Sequence, residues 1–254
     1  YGRLLAGEPE RHLPPTVAAA ARGYRRGPGT MMVHLALSAP PRWSAGEDLG
    51  RFAYVHIAPY VEDLAATYAH ACAGILPAEP LLIVGQSSAV DPSRAPAGAA
   101  VLWVQVRAVP ALIRGDALGQ IADDDWAAAG EPYADRVLDK LEGYAPGLRE
   151  LVLDRAVLTP DDLERINPNL VGGDSISGSM HLSQNLIMRP FPEVRDYETG
   201  IERLLMCGAS TWPGAGVNAL SGYNAAHKLL APPPSRLRRK AARLALSGAR
   251  ALMR

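Results

Sequence analysis

Two stretches of this chain concentrate residue types that do chemistry. The first is LLMCGASTWPGAGVNALSGYNAA, from Leu204 to Ala226. Leu204 to Cys207 is an apolar run of the length of a buried strand. Gly208-Ala209-Ser210, a Trp212-Pro213 corner and the glycines Gly214 and Gly216 follow, and from Val217 the apolar spacing (Val217, Leu220, Ala225, Leu229) is helical. Strand, glycine-rich turn and helix start together make a site for an anion or a dipole. The first four N–H groups of a helix lack internal partners, and its macrodipole adds partial positive charge. Glycines also let a flat ligand approach the backbone.

The second stretch is NPNLVGGDSISGSMHLSQNLIMRPFP, from Asn167 to Pro192. It reads as a loop that enters a short helix near His181 and ends at Pro190. Asp174, Ser175, Ser177, Ser179, His181 and Gln184 gather polar side chains in one place. Long irregular segments inside compact domains are usually functional. His181 changes charge near neutral pH and can handle a proton; equally, it could only order the loop.

Simpler chemistries compete. GAGVNA, Gly214 to Ala219, fits G-x-G-x-x-G/A, but that fingerprint follows a strand at once and needs an acidic residue about 20 positions on. Here Ser210 to Pro213 intervene, and no Asp or Glu follows Glu202. A purely structural turn is the other reading, because Gly and Pro mostly punctuate loops. Ser177, His181 and Asp174 could suggest a hydrolase, but the strand, G-x-S-x-G elbow and helix are absent.

CGASTWPGAGVNALSGYNAA resembles the C-terminal flavin motif of the phytoene desaturase-like flavoproteins, the group of carotenoid desaturases, carotenoid isomerases and retinol saturase. DPSRAPAG (Asp91 to Gly98) before a strand resembles their D-P-S-x-A-P-x-G segment. The glycine, His-x-x-Gln and Arg-Pro run of the second stretch resembles the segment that faces substrate across the flavin. The resemblance implies FAD as cofactor, with Gly208, Ala209, Ser210, Trp212, Pro213, Gly214, Ala215, Gly216, Val217 and Asn218 beside it. It implies Gly178, His181, Gln184 and Arg189 lining the substrate cavity, with Pro190 after them, and His181 as the proton-handling residue. Members of the family open on a Rossmann G-x-G-x-x-G that this chain lacks. It is therefore expected to be the C-terminal half of a longer flavoprotein, or one subunit of a split one, partnered by a half or chain that carries the fingerprint. The implied reaction is hydride transfer between flavin and a hydrophobic, lipid- or polyene-like substrate. The alternative is a non-catalytic binding or partner subunit that keeps the fold.

The elements that must position these residues alternate between strand and helix. Residues 1–30 read as a linker or frayed start. Thr30 to Ser38 and Phe52 to Ile57 read as strands; Tyr60 to Ile75 reads as a helix with Val61, Leu64, Ala65, Tyr68 and Cys72 on one face. Leu81 to Val84 and Ala100 to Val106 read as neighbouring strands, and Asp91-Pro92-Ser93 as the turn between them. Glu131 to Ala145 follows as a helix with Pro132 in its first turn, then a strand from Glu150 to Leu158, then a short helix capped by Thr159 with Pro160 at its first position. The order of elements reads as α/β or α+β; the resemblance implies the C-terminal half of a two-domain Rossmann-type flavoprotein, with a substrate-domain mixed sheet over 31–165, the loop, last strand and helix of the FAD domain over 166–231, and a tail over 232–254.

Composition bounds the rest. The chain has 254 residues, 48% hydrophobic, with zero net charge. Nine of its 26 basic residues and none of its 26 acidic ones follow Glu202, so the basic excess sits at one end and gives no chain-wide nucleic-acid footprint. Cys72 and Cys207 lie in apolar contexts without CxxC and read as buried thiols, not as a disulfide or metal pair. The absence of an 18-residue apolar run and of a signal-peptide pattern gives a cytoplasmic expectation. Leu237, Ala241, Leu244 and Leu252 of the tail fall on one side of a basic helix, which suits a membrane surface or a partner.

Overall fold

The computed structural model describes residues 13–58, 60–194 and 197–231. In chain order these form α1 (Pro15–Arg22), β1 (Gly29–Leu37), β2 (Tyr54–Ile57), α2 (Val61–Ala73), β3 (Ile75–Leu76), β4 (Leu81–Gly85), α3 (Ser87–Val90), β5 (Ala100–Val109), β6 (Gly115–Asp116), α4 (Trp126–Tyr144), α5 (Leu148–Leu151), β7 (Val152–Leu158), α6 (Pro160–Ile166) and α7 (Leu220–Leu230). Five strands build one sheet in the order β2-β4-β5-β1-β7. Every pair in it is antiparallel. The expected mixed sheet is thus corrected: the only parallel pairing among the described residues is the short β3–β6 ladder.

Alternation sorts the sheet into two faces. Met31, Val33, Leu35 and Leu37 of β1 join Leu102, Val104 and Val106 of β5 and Leu82 and Val84 of β4 in the core. There they meet Trp126, Tyr133, Val137 and Leu141 of α4. Each such side chain contributes roughly 1.5–3 kcal/mol on burial. The opposite face is only partly covered. Its rows run Tyr54–Gly85–Trp103–His34–Ala156 and His56–Ile83–Gln105–Met32–Leu158. Trp103 crosses Gly85, where a Cβ would stand 2.8 Å from the indole. It meets Tyr54 edge-on with ring centroids 6.1 Å apart.

Several boundaries differ from expectation, each for a local reason. α4 starts at Trp126, because the Asp125 side chain accepts from Ala128 N at 2.8 Å and caps it; Pro132 therefore lies inside the helix, not in its first turn. The segment before β7 is helical over Leu148–Leu151, entered through Gly147 at φ 83. α2 presents its apolar stripe outward: Val61 is 75% exposed, and Tyr68 and Cys72 are exposed too. The residues it buries are the small Thr67 and Ala71, which allow close approach, and Thr67 Oγ1 donates to Glu79 O at 3.0 Å. Cys207 is exposed as well, so neither cysteine is a buried thiol.

Residues 13–30 are not a loose linker throughout, because Val17 of α1 and Leu13 just before the helix pack with Phe191 and Val194. Leu204–Cys207 is not a strand. It makes a single bridge, Glu198↔Leu205, since no described strand lies alongside to extend the pairing. The last helix begins at Leu220, after Ala219 at φ 50, and leaves Val217 exposed. The expected tail helix lies outside the described residues.

Thr159 and Pro160 open α6 as expected, with a capping box: Thr159 Oγ1 accepts from Asp162 N at 3.2 Å, and Asp162 Oδ2 accepts from Thr159 N at 3.0 Å. Thr159→Ala should cost about 1 kcal/mol and lower the melting temperature by roughly 2–4 °C in a chain of this size. Thermal unfolding followed by circular dichroism checks it.

Candidate functional site

The polar loop and the glycine-rich turn are brought together by two buried charged side chains. Asp174 is fully buried, and its carboxylate accepts from Gly27 N at 2.8 Å, Gly178 N at 2.7 Å and Ile176 N at 3.1 Å. It ties the chain entering β1 to the start of the loop. Arg189, 3% exposed, donates to five carbonyl oxygens: Ile176 at 3.0 Å, Ser177 at 3.4 Å, Ser179 at 3.3 Å, Gln184 at 3.4 Å and Ala209 at 2.8 Å. Four of these belong to the loop and the fifth to the turn. One guanidinium, with five N–H groups in a rigid fork, therefore sets the spacing of two segments that have no ladder of their own.

The other loop residues are also committed to shape. Gln184 pairs with the Arg25 backbone on both sides, accepting from its N at 2.6 Å and donating to its O at 2.9 Å. Gly178, at φ 131, lies where a Cβ would strike the Tyr24 hydroxyl, which donates to Ser177 O at 2.7 Å. His181 alone of this set is exposed. Its Nδ1 accepts from Ser183 N at 3.3 Å and lies 2.9 Å from Ser183 Oγ, which leaves Nε2 as the outward nitrogen. The hydrolase arrangement is absent: Asp174 is enclosed by N–H groups, and His181 Nδ1 is engaged by Ser183.

The turn is equally well held. Gly208 N donates to Ser221 Oγ at 2.7 Å, and Gly208 O accepts from Thr211 N at 3.0 Å. Gly214 N reaches Thr211 O at 2.7 Å. Tyr197 Oη donates to Trp212 O at 2.9 Å and receives the Asn224 amide at 2.9 Å. Gly208, Gly214 and Gly216 all take positive φ, at 117°, 103° and 151°, which side chains resist. Beyond this frame Trp212, Gly216, Val217 and Asn218 are exposed, with Ala209, Ser210, Pro213 and Ala215 half-buried. The Ala219 side chain offers no cap to α7, and Asn218 Oδ1 accepts from Leu220 N at 2.9 Å.

The loop reaches the open sheet face through Ser175. Its Oγ lies 2.9 Å from Thr30 Oγ1 and 3.2 Å from Arg107 Nη1. Tyr68 of α2 reaches the Ser179 side chain, and burial pushes its phenol up. Burial also pushes the His34 imidazole down, in line with its place beside Trp103 and Ala156. Sequence reasoning missed Trp103, Gln105 and Arg107 as site residues. The signal was present in the alternation of β5, which sends them opposite to Leu102, Val104 and Val106. Among the described residues no His, Cys, Asp and Glu cluster is placed to hold a metal, and no helix is long and apolar enough to cross a membrane.

Fold and site define an α+β chain in which an antiparallel sheet, a buried-arginine loop and a glycine-rich turn before a helix converge. The chain is 39% identical over 155 residues to "Pyridine nucleotide-disulfide oxidoreductase domain-containing protein 2" of Rattus norvegicus, a match that covers 61% of the chain and 26% of the relative. It is 31% identical over 162 residues to a neurosporene-forming phytoene desaturase of Cereibacter sphaeroides, covering 63% of the chain and 29% of the relative. It is 36% identical over 129 residues to a lycopene-forming phytoene desaturase of Pseudescherichia vulneris, covering 50% and 23%. No family model matches. These matches are consistent with the phytoene desaturase-like oxidoreductase family, and the chain spans about a quarter of the length of the curated relatives it matches.

Proposed function

We propose that this chain supplies the substrate-facing sheet and one wall of the flavin site of an FAD-dependent oxidoreductase acting on a hydrophobic, lipid- or polyene-like substrate. The observation that carries the reading is the partly exposed Gly208–Asn218 turn, fastened by Arg189 to a loop that adjoins an open sheet face. The residues present fit a flavin. A Cβ at Gly208 would meet nothing within 4 Å, so a flat ring can lie on the backbone there, and the Ala219 N-cap of α7 has no polar side chain, with Asn218 Oδ1 on the Leu220 N–H alone. Bound there, FAD supplies the hydride acceptor or donor.

This chain's own groups do the rest. The turn N–H groups and the α7 N-terminus stabilise negative charge at a ring edge. Arg189 and Asp174 hold the turn and loop at fixed spacing, so that substrate and ring meet in one geometry. Met32, Ile83 and Trp103 provide an apolar surface that excludes water. His181 takes or gives a proton at Nε2. In this reading, an N-terminal half or partner subunit holds the pyrophosphate. The basic tail, outside the described residues, would rest on a membrane surface.

The test is the visible absorption spectrum of the protein purified from its own cells. Flavin bands at one per chain are expected. A colourless preparation would overturn the oxidoreductase reading and leave a non-catalytic binding subunit of this fold.

A further inference from the structure

The open sheet face carries one feature that a purely hydrocarbon ligand does not need. Arg107 stands at its loop end, on the same face as Gln105 and Trp103. The guanidinium is half-buried and is held only by neutral oxygens, Gln105 Oε1 at 3.3 Å and Ser175 Oγ at 3.2 Å, both from Nη1. Among the described residues no carboxylate forms an ion pair with it. Asp174, the acidic group whose field it feels, is already engaged by three backbone N–H groups. Burying a cation against neutral partners is costly, and an incoming anion relieves that cost. The rest of the face is mostly apolar or aromatic, with Met32, Ile83, Trp103 and Tyr54 interspersed with His34 and His56, and the rows that hold them have no carboxylate.

We propose that Arg107 is a specificity-determining residue, which binds the carboxylate of an elongated apolar substrate whose hydrocarbon chain lies along the open sheet face against Met32, Ile83 and Trp103. This rests on that face being the substrate surface of the oxidoreductase proposed above. It narrows the substrate class from hydrophobic molecules in general to long-chain carboxylic acids. Arg107 Nη2, which makes no bond to the described residues, and Nη1 form the planar fork that accepts a carboxylate through two parallel hydrogen bonds. The Ser175 hydroxyl, 3.2 Å from Nη1, positions that fork and gives way or donates to the second oxygen.

The experiment uses the natively purified protein and a matched pair of fluorescent probes, 11-(dansylamino)undecanoic acid and its methyl ester. The wild type should bind the acid about tenfold or more tightly than the ester, the usual scale for one charge-assisted bidentate pair. Arg107→Met should reduce acid affinity to that of the ester and leave ester affinity unchanged, which shows the face itself intact. Arg107→Lys should keep part of the preference, and Trp103→Phe should reduce energy transfer to the dansyl group. Equal binding of acid and ester by the wild type, a preference that survives Arg107→Met, or binding of neither probe would overturn the proposal. Flavin content is read on the same samples. Flavin present without acid preference removes the Arg107 proposal alone; acid preference without flavin removes the oxidoreductase reading and leaves a carboxylate-binding face.

Discussion

Arg189→Leu is expected to be among the most damaging single substitutions outside the hydrophobic core. The side chain is of similar reach along its stem but leaves five carbonyl oxygens of the 176–184 loop and the Ala209 turn without their donor. Each buried polar group left unsatisfied costs about 1–3 kcal/mol, partly recovered by local rearrangement and water. A net loss of about 3–5 kcal/mol follows, and for a chain of this size a fall in melting temperature of roughly 6–15 °C. Arg189→Lys should recover little, because one compact ammonium with three donors cannot span the positions that the planar fork reaches. The loop and the turn would lose their common spacing, so flavin content should fall with stability. Thermal unfolding and the visible spectrum, measured together, check this. A melting temperature unchanged within 2 °C would show that other contacts hold the two segments, and the role assigned to Arg189 would be withdrawn.

The second large effect lies on the far side of the sheet. Arg136 of α4 donates to Asp116 through both nitrogens, at 2.6 and 2.7 Å, and to Pro77 O at 3.1 Å. The Asp116 side chain is fully buried and that of Arg136 is 9% exposed. Asp116→Ala leaves that guanidinium buried without a countercharge, which typically costs 3–5 kcal/mol. The pair also sets an acid limit. Burial alone would raise the Asp116 carboxyl, but the Arg136 hydrogen bond and the N–H groups of Gln120 and Ile121 outweigh it and hold the group at about 2, below its ordinary 3.8. A depressed folded value stabilises above the unfolded one and is lost as pH falls through the folded one. The contribution, roughly 2 kcal/mol, is therefore fully present above about pH 4 and disappears toward pH 2. Urea unfolding at pH 7, 4 and 2.5 should show the wild type losing this increment and Asp116→Ala lacking it throughout. Parallel acid profiles for the two proteins would remove the assignment.

The chemistry-bearing segments were legible in the sequence because their composition is extreme. Glycines at Gly208, Gly214 and Gly216 and the Arg189-Pro190 step mark places where ordinary backbone does not fit, and the structure puts positive φ at all three glycines. The strand at Thr30 was legible from alternation, those at Leu81 and Ala100 from short apolar runs, and the α6 start from Thr159 and Pro160. What the sequence did not disclose is how the loop residues are spent. Asp174, Gln184 and Arg189 look like lining groups in one dimension, yet each turns inward and holds backbone. Nothing in local spacing distinguishes an arginine aimed at a ligand from one aimed at five carbonyls. The α2 stripe misled for a related reason: periodicity finds the apolar side of a helix but not which side has a neighbour, and Thr67 and Ala71 won because small residues allow close packing.

The sequence by itself determined part of the local grammar of this protein: the strands of the main sheet, the cap that opens α6, and the two irregular stretches rich in glycine and polar residues. Those follow from short-range sterics, capping and hydrophobic period, all written within a few residues. Only the tertiary structure decided that β4 and β1 flank β5 so that the face carrying Trp103, Gln105 and Arg107 stays open, and that Ser175, Asp174 and Arg189 join that face to the loop and the glycine turn. Antiparallel register and long-range hydrogen bonds between residues as distant as Gly27 and Asp174 cost loop entropy that no local pattern records.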